Sequence, residues 1–462
     1  MSSNRLDLVL VSPGGRVRVY QSLADTLSAI EPPVWAGLMA TFARNRGISV
    51  EVLDANAENL STAETAQRVA DMDPLLAAVV VYGHQPSAST QTMPEAGAIC
   101  TALKQVSPQM NILLVGGHVS SLPERTLREE DADFVCTGEG PHTVVDLVEA
   151  LKTGKADELT KVRGIWYHDG EKVKVTAPAP LVGNLEQEMM EPAWDLLPMN
   201  SYRAHNWQCF GDLKREPYAA IYTTLGCPYH CTFCCIQAPF KSGENLMGMK
   251  PQVNSYRFWD PKSVITQIDG LVNKYGVRNI KLADEMFVLN ARHVNAICDS
   301  IIERGYDLNI WAYARVDSVK EDMLDKLKAA GINWLAFGIE AADERVRNDV
   351  QKGFGQDLLY KVLGQVNSAG INVIGNYIFG LPEDDMDTMQ ATLDMALQLN
   401  CEFANFYCTM AYPGSQLYTQ ALDNGWQLPS GWSGYSQHSQ DTLPLPTKYL
   451  SVSEVLRFRD KA

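Results

Sequence analysis

Short apolar runs alternate with amphipathic stretches along most of this chain. In the first 150 residues, β-branched or apolar runs fall at 6–11, 48–53, 75–82, 112–115 and Phe134–Cys136, with helical spacing at Val34–Arg44, 93–106 and 143–151. Strands separated by helices predict an open parallel sheet of five strands covered on both faces, whose ligands bind beyond the carboxyl ends of the strands. A second alternation begins at Glu216. Its strand-like runs are 219–223, 279–283, 309–313, 334–337, 373–379 and Phe403–Cys408, and its helices Pro261–Tyr275, Ala291–Arg304, 320–330, 356–369 and 385–399. Six β/α units are too few to close an eight-stranded barrel, so the expectation is an open, partial barrel with functional residues on the carboxyl-end rim.

Between the two alternations, Asp169-Gly170 flanked by 164–168 and 172–175 predicts a hairpin. Residues 176–215, with Pro178, Pro180, Pro192 and Pro198, read as a wrapped linker in which Trp194 and Trp207 pack. The tail 425–446 has no period, and its Trp426, Trp432 and Tyr435 either contact substrate or seal the core. The predicted division is therefore 1–152, a hairpin and linker at 153–215, the partial barrel at 216–420 and a carboxyl-terminal extension at 421–462.

Composition narrows the function class. At 462 residues and 46% hydrophobic, the chain is long enough for two cores and an appendix. No apolar run reaches the roughly 18 residues of a membrane span, and residues 1–7 are polar, which makes the cytoplasm the expected compartment. Ten cysteines without framework spacing fit reduced thiols. A net charge of −16 argues against a duplex nucleic-acid partner, since phosphate binding needs clustered Lys and Arg.

Three of the cysteines stand together, Cys227, Cys231 and Cys234, in Gly226-Cys-Pro-Tyr-His-Cys-Thr-Phe-Cys. Thiolates bind iron–sulfur clusters, and three ligands to a [4Fe–4S] cube leave one iron open to a small molecule. The competing readings are zinc, which normally takes four closed ligands for which no second Cys pair follows, or plain burial. Cys235 would point the opposite way. Cys100, Cys136, Cys298, Cys401 and Cys408 read as core residues.

The loop resembles the signature of the radical S-adenosylmethionine (SAM) superfamily, Cys-x3-Cys-x2-Cys with an aromatic residue, here Phe233, before the last cysteine. The resemblance implies that SAM chelates the open iron, that an electron from the cluster cleaves it to a 5'-deoxyadenosyl radical, and that Phe233 lies near the adenine. A five-stranded domain ahead of such a core, carrying Gly116 to Glu124 and Thr137 to Gly140, is similar to the cobalamin-binding branch of that superfamily. The implied fold is an α/β chain with an N-terminal Rossmann-like cobalamin-binding domain followed by a partial (β/α)6 TIM-barrel radical SAM domain. No Asp-x-His-x-x-Gly supplies a histidine to cobalt from below. The implied corrin contacts are Ser12, Pro13 and Gly14; Asn56; Gly83, His84 and Ser87; Gly116, Gly117 and His118; and Gly138, Glu139 and Gly140. For His84 and His118 the competing reading is a histidine bonded at a turn.

On the barrel rim the resemblance implies SAM contacts at Asp284, Arg315, Glu340, Gly375 and Gly380. Structural readings compete at each: Glu340 paired with Arg345 or Arg315, Arg315 paired with Asp284 or Glu285, and strand curvature at the two glycines. No residue is singled out as catalytic. The implied enzyme is a cobalamin-dependent methyltransferase acting on an unactivated carbon, or phosphorus, of a small metabolite, with the cofactors performing the difficult chemistry. It would draw electrons from an external reductant such as flavodoxin or ferredoxin, and the loops at 12–16, 83–87 and 116–120 would face the cluster. The alternative within enzymes is a cobalamin-assisted radical cyclase or ring-rearranging oxidoreductase. From another class stands an iron–sulfur sensor or electron carrier. Methylthio transfer would require additional amino-terminal cysteines for a second cluster, and only Cys100 and Cys136 precede Cys209.

Overall fold

A computed structural model describes residues 5–16, 19, 23–210 and 213–462 of the chain. It resolves into two compact units, one formed by Met1–Ala24, Ile30–Tyr202 and Cys235–Ser255, the other by Asp25–Ala29, Arg203–Cys234 and Tyr256–Ala462.

The first unit is built on five parallel strands, β1 (Leu8–Ser12), β2 (Val50–Asp54), β3 (Leu76–Val81), β4 (Ile112–Gly116) and β5 (Phe134–Cys136). Their near-continuous runs of Val, Leu, Ile and Ala are what burial on both faces demands. The expected five-stranded sheet proves to have seven strands. The predicted hairpin, β6 (Ile165–Asp169) and β7 (Lys172–Val175), adds antiparallel to β5, giving the order β2-β1-β3-β4-β5-β6-β7. A bare β5 would leave a row of backbone donors and acceptors unpaired, and β6 satisfies them, with Thr137 N donating to Gly164 O at 2.8 Å just beyond the strand. β1 lies between β2 and β3, so the strand order reverses there. A crevice forms at such a switch point, outside the strand ends.

The longest helix of this unit that escaped the apolar pattern shows why. Thr62–Met72 buries only Thr65, Ala66 and Val69, too sparse a stripe to stand out, yet Ser61 and Glu64 form a reciprocal capping box at its start. The helix expected at 93–106 begins earlier, at Ala88, and runs through Pro94.

In the second unit, six parallel strands follow the order β15-β14-β13-β12-β11-β8. They are β8 (Tyr218–Ile221), β11 (Asn279–Leu282), β12 (Asn309–Ala314), β13 (Ile332–Glu340), β14 (Asn372–Phe379) and β15 (Phe403–Cys408), while the short β9 (Thr224–Gly226) and β10 (Tyr256–Phe258) pair antiparallel to each other. β8 and β15 do not pair, so the barrel stays open as the six-unit count requires. Helices Pro261–Tyr275 and Ala291–Arg304 occur with the bounds read from the sequence. Trp207 packs with Trp311, Trp334, Ala336 and Ile374, and neighbouring Gln208 donates to Asn309 O at 2.9 Å. The linker thus ends inside the barrel wall. The tail also packs: Trp432 and Tyr435 are buried, and Val455 and Phe458 of helix Val452–Lys461 join Phe379, Met389, Leu393 and Cys408 in one cluster. Among the described residues no helix is long and apolar enough to cross a membrane.

Candidate active site

The chain leaves β8 at Ile221 and reaches the cysteine loop through β9, where Gly226 has φ +87°, a left-handed turn that favours glycine. Cys227, Cys231 and Cys234 are half-buried cysteines outside any disulfide, whereas Cys235 is buried. The loop is fastened along its length. Cys234 N donates to Cys231 O at 3.0 Å, Thr232 N to Val350 O at 3.2 Å, and Leu417 N to Thr232 O at 2.8 Å. Phe233 packs against Ala341, Val346, Val350 and Leu381. Burial pushes the Cys227 thiol up to about 12, so a metal must supply the charge that makes it a thiolate.

Around Cys231 the rim is strongly charged. Arg315, at the end of β12, forks onto Asp317 with Nε–Oδ1 at 2.9 Å and Nη2–Oδ2 at 3.0 Å, directs Nη1 at the Cys231 sulfur at 3.7 Å, and lies 4.0 Å over the Tyr229 ring. Its partner is therefore Asp317, and neither Asp284 nor Glu285. Glu340, at the end of β13, is buried with a left-handed φ of +66°, an unusual conformation for a non-glycine residue that costs on the order of 1 kcal/mol. It accepts from Lys352 Nζ rather than from Arg345 or Arg315; Arg345 pairs instead with Glu383 at 3.0 Å. A Cβ at Gly338 would fall 2.3 Å from Lys352 Nζ and 2.5 Å from the Glu340 carboxylate, so glycine there makes room for the pair. Burial works against the Lys352 ammonium, but Glu340 and Cys231 outweigh it and hold its pKa above the usual lysine value.

Asp284, just beyond β11, is wholly buried and accepts from Thr223 N at 2.6 Å and Thr224 Oγ1 at 2.8 Å. Burial pushes its carboxyl up to about 6 against those hydrogen bonds. Glu285 beside it is half-buried and is pushed up to about 8 by burial, opposed by Lys281. The two rim glycines have protein neighbours. A Cβ on Gly375 would meet the Tyr377 ring at 2.8 Å, and one on Gly380, whose φ is +79°, would meet Val455 at 2.5 Å.

In the first unit, the strand ends behave differently. Asp54 closes β2 and accepts from Asn56 N at 3.1 Å, Ala57 N at 3.2 Å and Tyr202 OH at 2.9 Å. His84 sets Nε2 on Pro32 O at 2.7 Å and Nδ1 on Glu31 at 3.1 Å. His118 places Nδ1 at 3.1 Å from Thr90 Oγ1, and burial pulls its pKa down to about 3, which keeps it neutral. Glu139 accepts from Val182 N at 2.8 Å, and Ser120 Oγ accepts from Gly138 N at 2.9 Å. Ser87 begins helix Ala88–Val106, and Ser12 O receives Ala55 N at 3.1 Å.

Two family profiles match separate stretches of the chain. The profile of the B12 binding domain matches residues 20–148, and that of the radical SAM superfamily matches residues 221–396. The chain carries a B12-binding domain and a radical SAM domain. It is 28% identical, over 91% of its own length and 86% of the relative's, to an uncharacterised methyltransferase of Pyrococcus horikoshii. It is 25% identical to the anaerobic magnesium-protoporphyrin IX monomethyl ester cyclase of Cereibacter sphaeroides over 87% of this chain, spanning 62% of the cyclase. Among solved structures, the radical SAM methyltransferase TsrM of Kitasatospora setae, with cobalamin and a [4Fe–4S] cluster bound, superposes with a TM-score of 0.70 at 17% identity, covering 98% of this chain and 87% of that one. At that identity the likeness is one of fold.

The residues of the radical SAM unit fit a cluster. Three half-buried thiols share one anchored loop, and the cations Arg315 and Lys352 stand where a cluster with three thiolate ligands would place negative charge. Among the described residues no three His, Cys, Asp or Glu side chains meet as they would around a single ion. The B12-binding unit fits a large flat ligand at some strand ends and not others. Among the described residues, a Cβ on Gly14 would find no atom nearer than 3.9 Å, on Gly117 none nearer than 3.7 Å, and on Gly138, with φ +124°, only Ser242 Oγ at 3.3 Å. Those three leave backbone open to approach. At Gly83, Gly116 and Gly140 a Cβ would collide with Ala88, Val81 O and Met39 at 2.3, 2.2 and 2.6 Å, so packing by itself already requires glycine there. Sequence reasoning missed Lys352 and gave no role to Gly338, Asp317 or Tyr229, although 314–317 and 338–340 were legible as rim motifs. Lys352 sits in an irregular loop with no motif.

Proposed function

We propose that this radical SAM enzyme is a cobalamin-dependent methyltransferase that places a methyl group on an unactivated carbon, or phosphorus, of a small molecule. When bound, a [4Fe–4S] cluster supplies the electron that cleaves SAM, and cobalamin supplies the methyl group. The observation that carries the reading is the three-thiol loop, held at the open end of a six-stranded parallel barrel by Val350 and Leu417, in a chain that also has a B12-binding sheet.

The protein's own residues supply position and charge. Cys227, Cys231 and Cys234 hold the cluster, and Phe233 fixes the loop between them. Glu340 and Asp284 are the carboxylates nearest the roles implied for SAM, each already held in one orientation by Lys352 or by Thr223 and Thr224. Glu285, raised to about 8, carries a proton at neutral pH and can donate a hydrogen bond that an ionised carboxylate cannot. Gly14, Gly117 and Gly138 are the backbone positions at which a corrin can approach. An external one-electron reductant such as flavodoxin or ferredoxin and a cytoplasmic location belong to this reading.

Correspondence with a methyltransferase relative over 91% of the chain favours methyl transfer. The cyclase relative supports a second reading, a radical cyclase. Anaerobic incubation of reconstituted enzyme with methyl-labelled SAM and a metabolite pool separates them by mass spectrometry. Formation of 5'-deoxyadenosine with labelled product one methyl group heavier is expected. Turnover without mass gain would replace methyl transfer by cyclisation, and absence of 5'-deoxyadenosine would remove both.

A further inference from the structure

The three thiols of the loop do not share one environment. Cys231 receives Arg315, whose Nη1 reaches its sulfur at 3.7 Å, and also interacts electrostatically with Lys352. The Arg315 guanidinium is fixed on three sides. Its Nε/Nη2 edge is occupied by Asp317, its face lies on Tyr229, and Nη1 is left for the sulfur. Asp317 is 30% exposed and Arg315 only 6%, so solvent screens the carboxylate more than the cation it orients. Of the groups bonded to the Cys231 sulfur, the guanidinium is the charged one.

Resting on the cluster reading above, we infer that Arg315, oriented by Asp317 and Tyr229, is a positioning residue that raises the reduction potential of the cluster through Cys231. A charged donor to a ligand sulfur stabilises whichever oxidation state carries more negative charge, and reduction adds one electron to the cluster. Its edge is committed to Asp317, so contact with the SAM carboxylate would have to displace that pair. The role at Cys231 needs no rearrangement.

The test is a potentiometric titration, followed by electron paramagnetic resonance, of the full chain reconstituted anaerobically and measured without SAM. Arg315→Gln is expected to keep its iron and sulfide content while its midpoint moves to more negative potential, and Arg315→Lys, which keeps the charge, to recover part of the shift. An unmoved midpoint in Arg315→Gln overturns the inference. So does a variant whose midpoint is unchanged but whose SAM affinity falls, since that assigns the guanidinium to the cosubstrate. If Arg315→Gln does not fold or assemble a cluster, pulsed resonance on the unaltered protein labelled with 15N-arginine decides: a 15N coupling to the reduced cluster is expected, and its absence overturns the assignment. Failure of the unaltered protein to assemble any cluster is a different result, which removes the functional reading and this inference with it.

Discussion

Each unit ends one of its strands in a fully buried aspartate, Asp54 after β2 and Asp284 after β11, both pushed up to about 6 by burial and both held by neighbouring hydrogen bonds. Beyond that shared device the two rims diverge. Around the B12-binding sheet, backbone and glycine contacts, such as Gly116 against Val81 O and Ser120 bonded to Gly138 N, stand beside side-chain bonds such as His84 to Pro32 O and Tyr202 to Asp54. Around the barrel, ion pairs join Arg315 with Asp317 and Lys352 with Glu340. A ligand that is large and flat needs clearance, which small residues give. A charged cluster and a sulfonium need fixed opposing charge, which only oriented side chains give.

The sharpest break of this comparison is Cys231→Ala, which removes a ligand outright. Loss of the cluster's visible absorption and of SAM cleavage is expected, with the B12-binding unit still taking up corrinoid. Glu340→Gln comes next, because it leaves the Lys352 ammonium buried without its counter-charge. The expected loss is about 3 kcal/mol in denaturant titration, and a change below about 1 kcal/mol would show that the pair contributes little.

The two aspartates give a pH signature common to both units. Their folded pKa lies above the unfolded value of 3.8, so between about 4 and about 6 the folded chain binds more protons than the unfolded one, and stability falls as pH rises through that window. Each contributes on the order of 2–3 kcal/mol to that decline. Melting temperatures measured from pH 4 to pH 7 should show a shallower fall in Asp54→Asn and in Asp284→Asn than in the unaltered protein.

The smallest effects discriminate most finely between clearance and packing. Gly116→Ala drives a Cβ to 2.2 Å from Val81 O and should cost about 1–3 kcal/mol in stability. Among the described residues, Gly14→Ala meets no atom nearer than 3.9 Å. Its stability should stay within about 0.5 kcal/mol of the unaltered protein while corrinoid uptake, followed by visible absorption, weakens. Equal melting-temperature losses in the two variants would erase the distinction.

Much of the architecture was legible because periodicity carries it. Helices Pro261–Tyr275 and Ala291–Arg304 announce both ends, with Asp260 or Asn290 capping the start and Gly276 or Gly305 in a left-handed turn at the close. The helix at Thr62–Met72 was illegible because its stripe is Thr, Ala and Val rather than large apolar residues. β6 and β7 were legible as a hairpin but not as part of the first sheet, since pairing with β5 is a tertiary choice that no local pattern encodes. At the site, the cysteines are a local motif and stand out in the chain. The partners of Glu340 and Arg315 are not. Lys352 is chosen over Arg345 because β13 bulges between Gly338 and Glu340 and turns the carboxylate toward the loop at 350–352, a consequence of backbone shape rather than of sequence distance.

Trp207 has a bearing on how this protein can be cut. A fragment begun at Glu216, where the second alternation starts, would leave Trp311 and Trp334 facing an unfilled hole and Asn309 without Gln208. The same fragment stopped at 420 would also strip Val455 from the floor beneath Gly380. Excision of the barrel as an autonomous piece therefore has to begin upstream of the indole and run through the final helix. Shorter pieces would come out of cells insoluble for reasons that have nothing to do with iron.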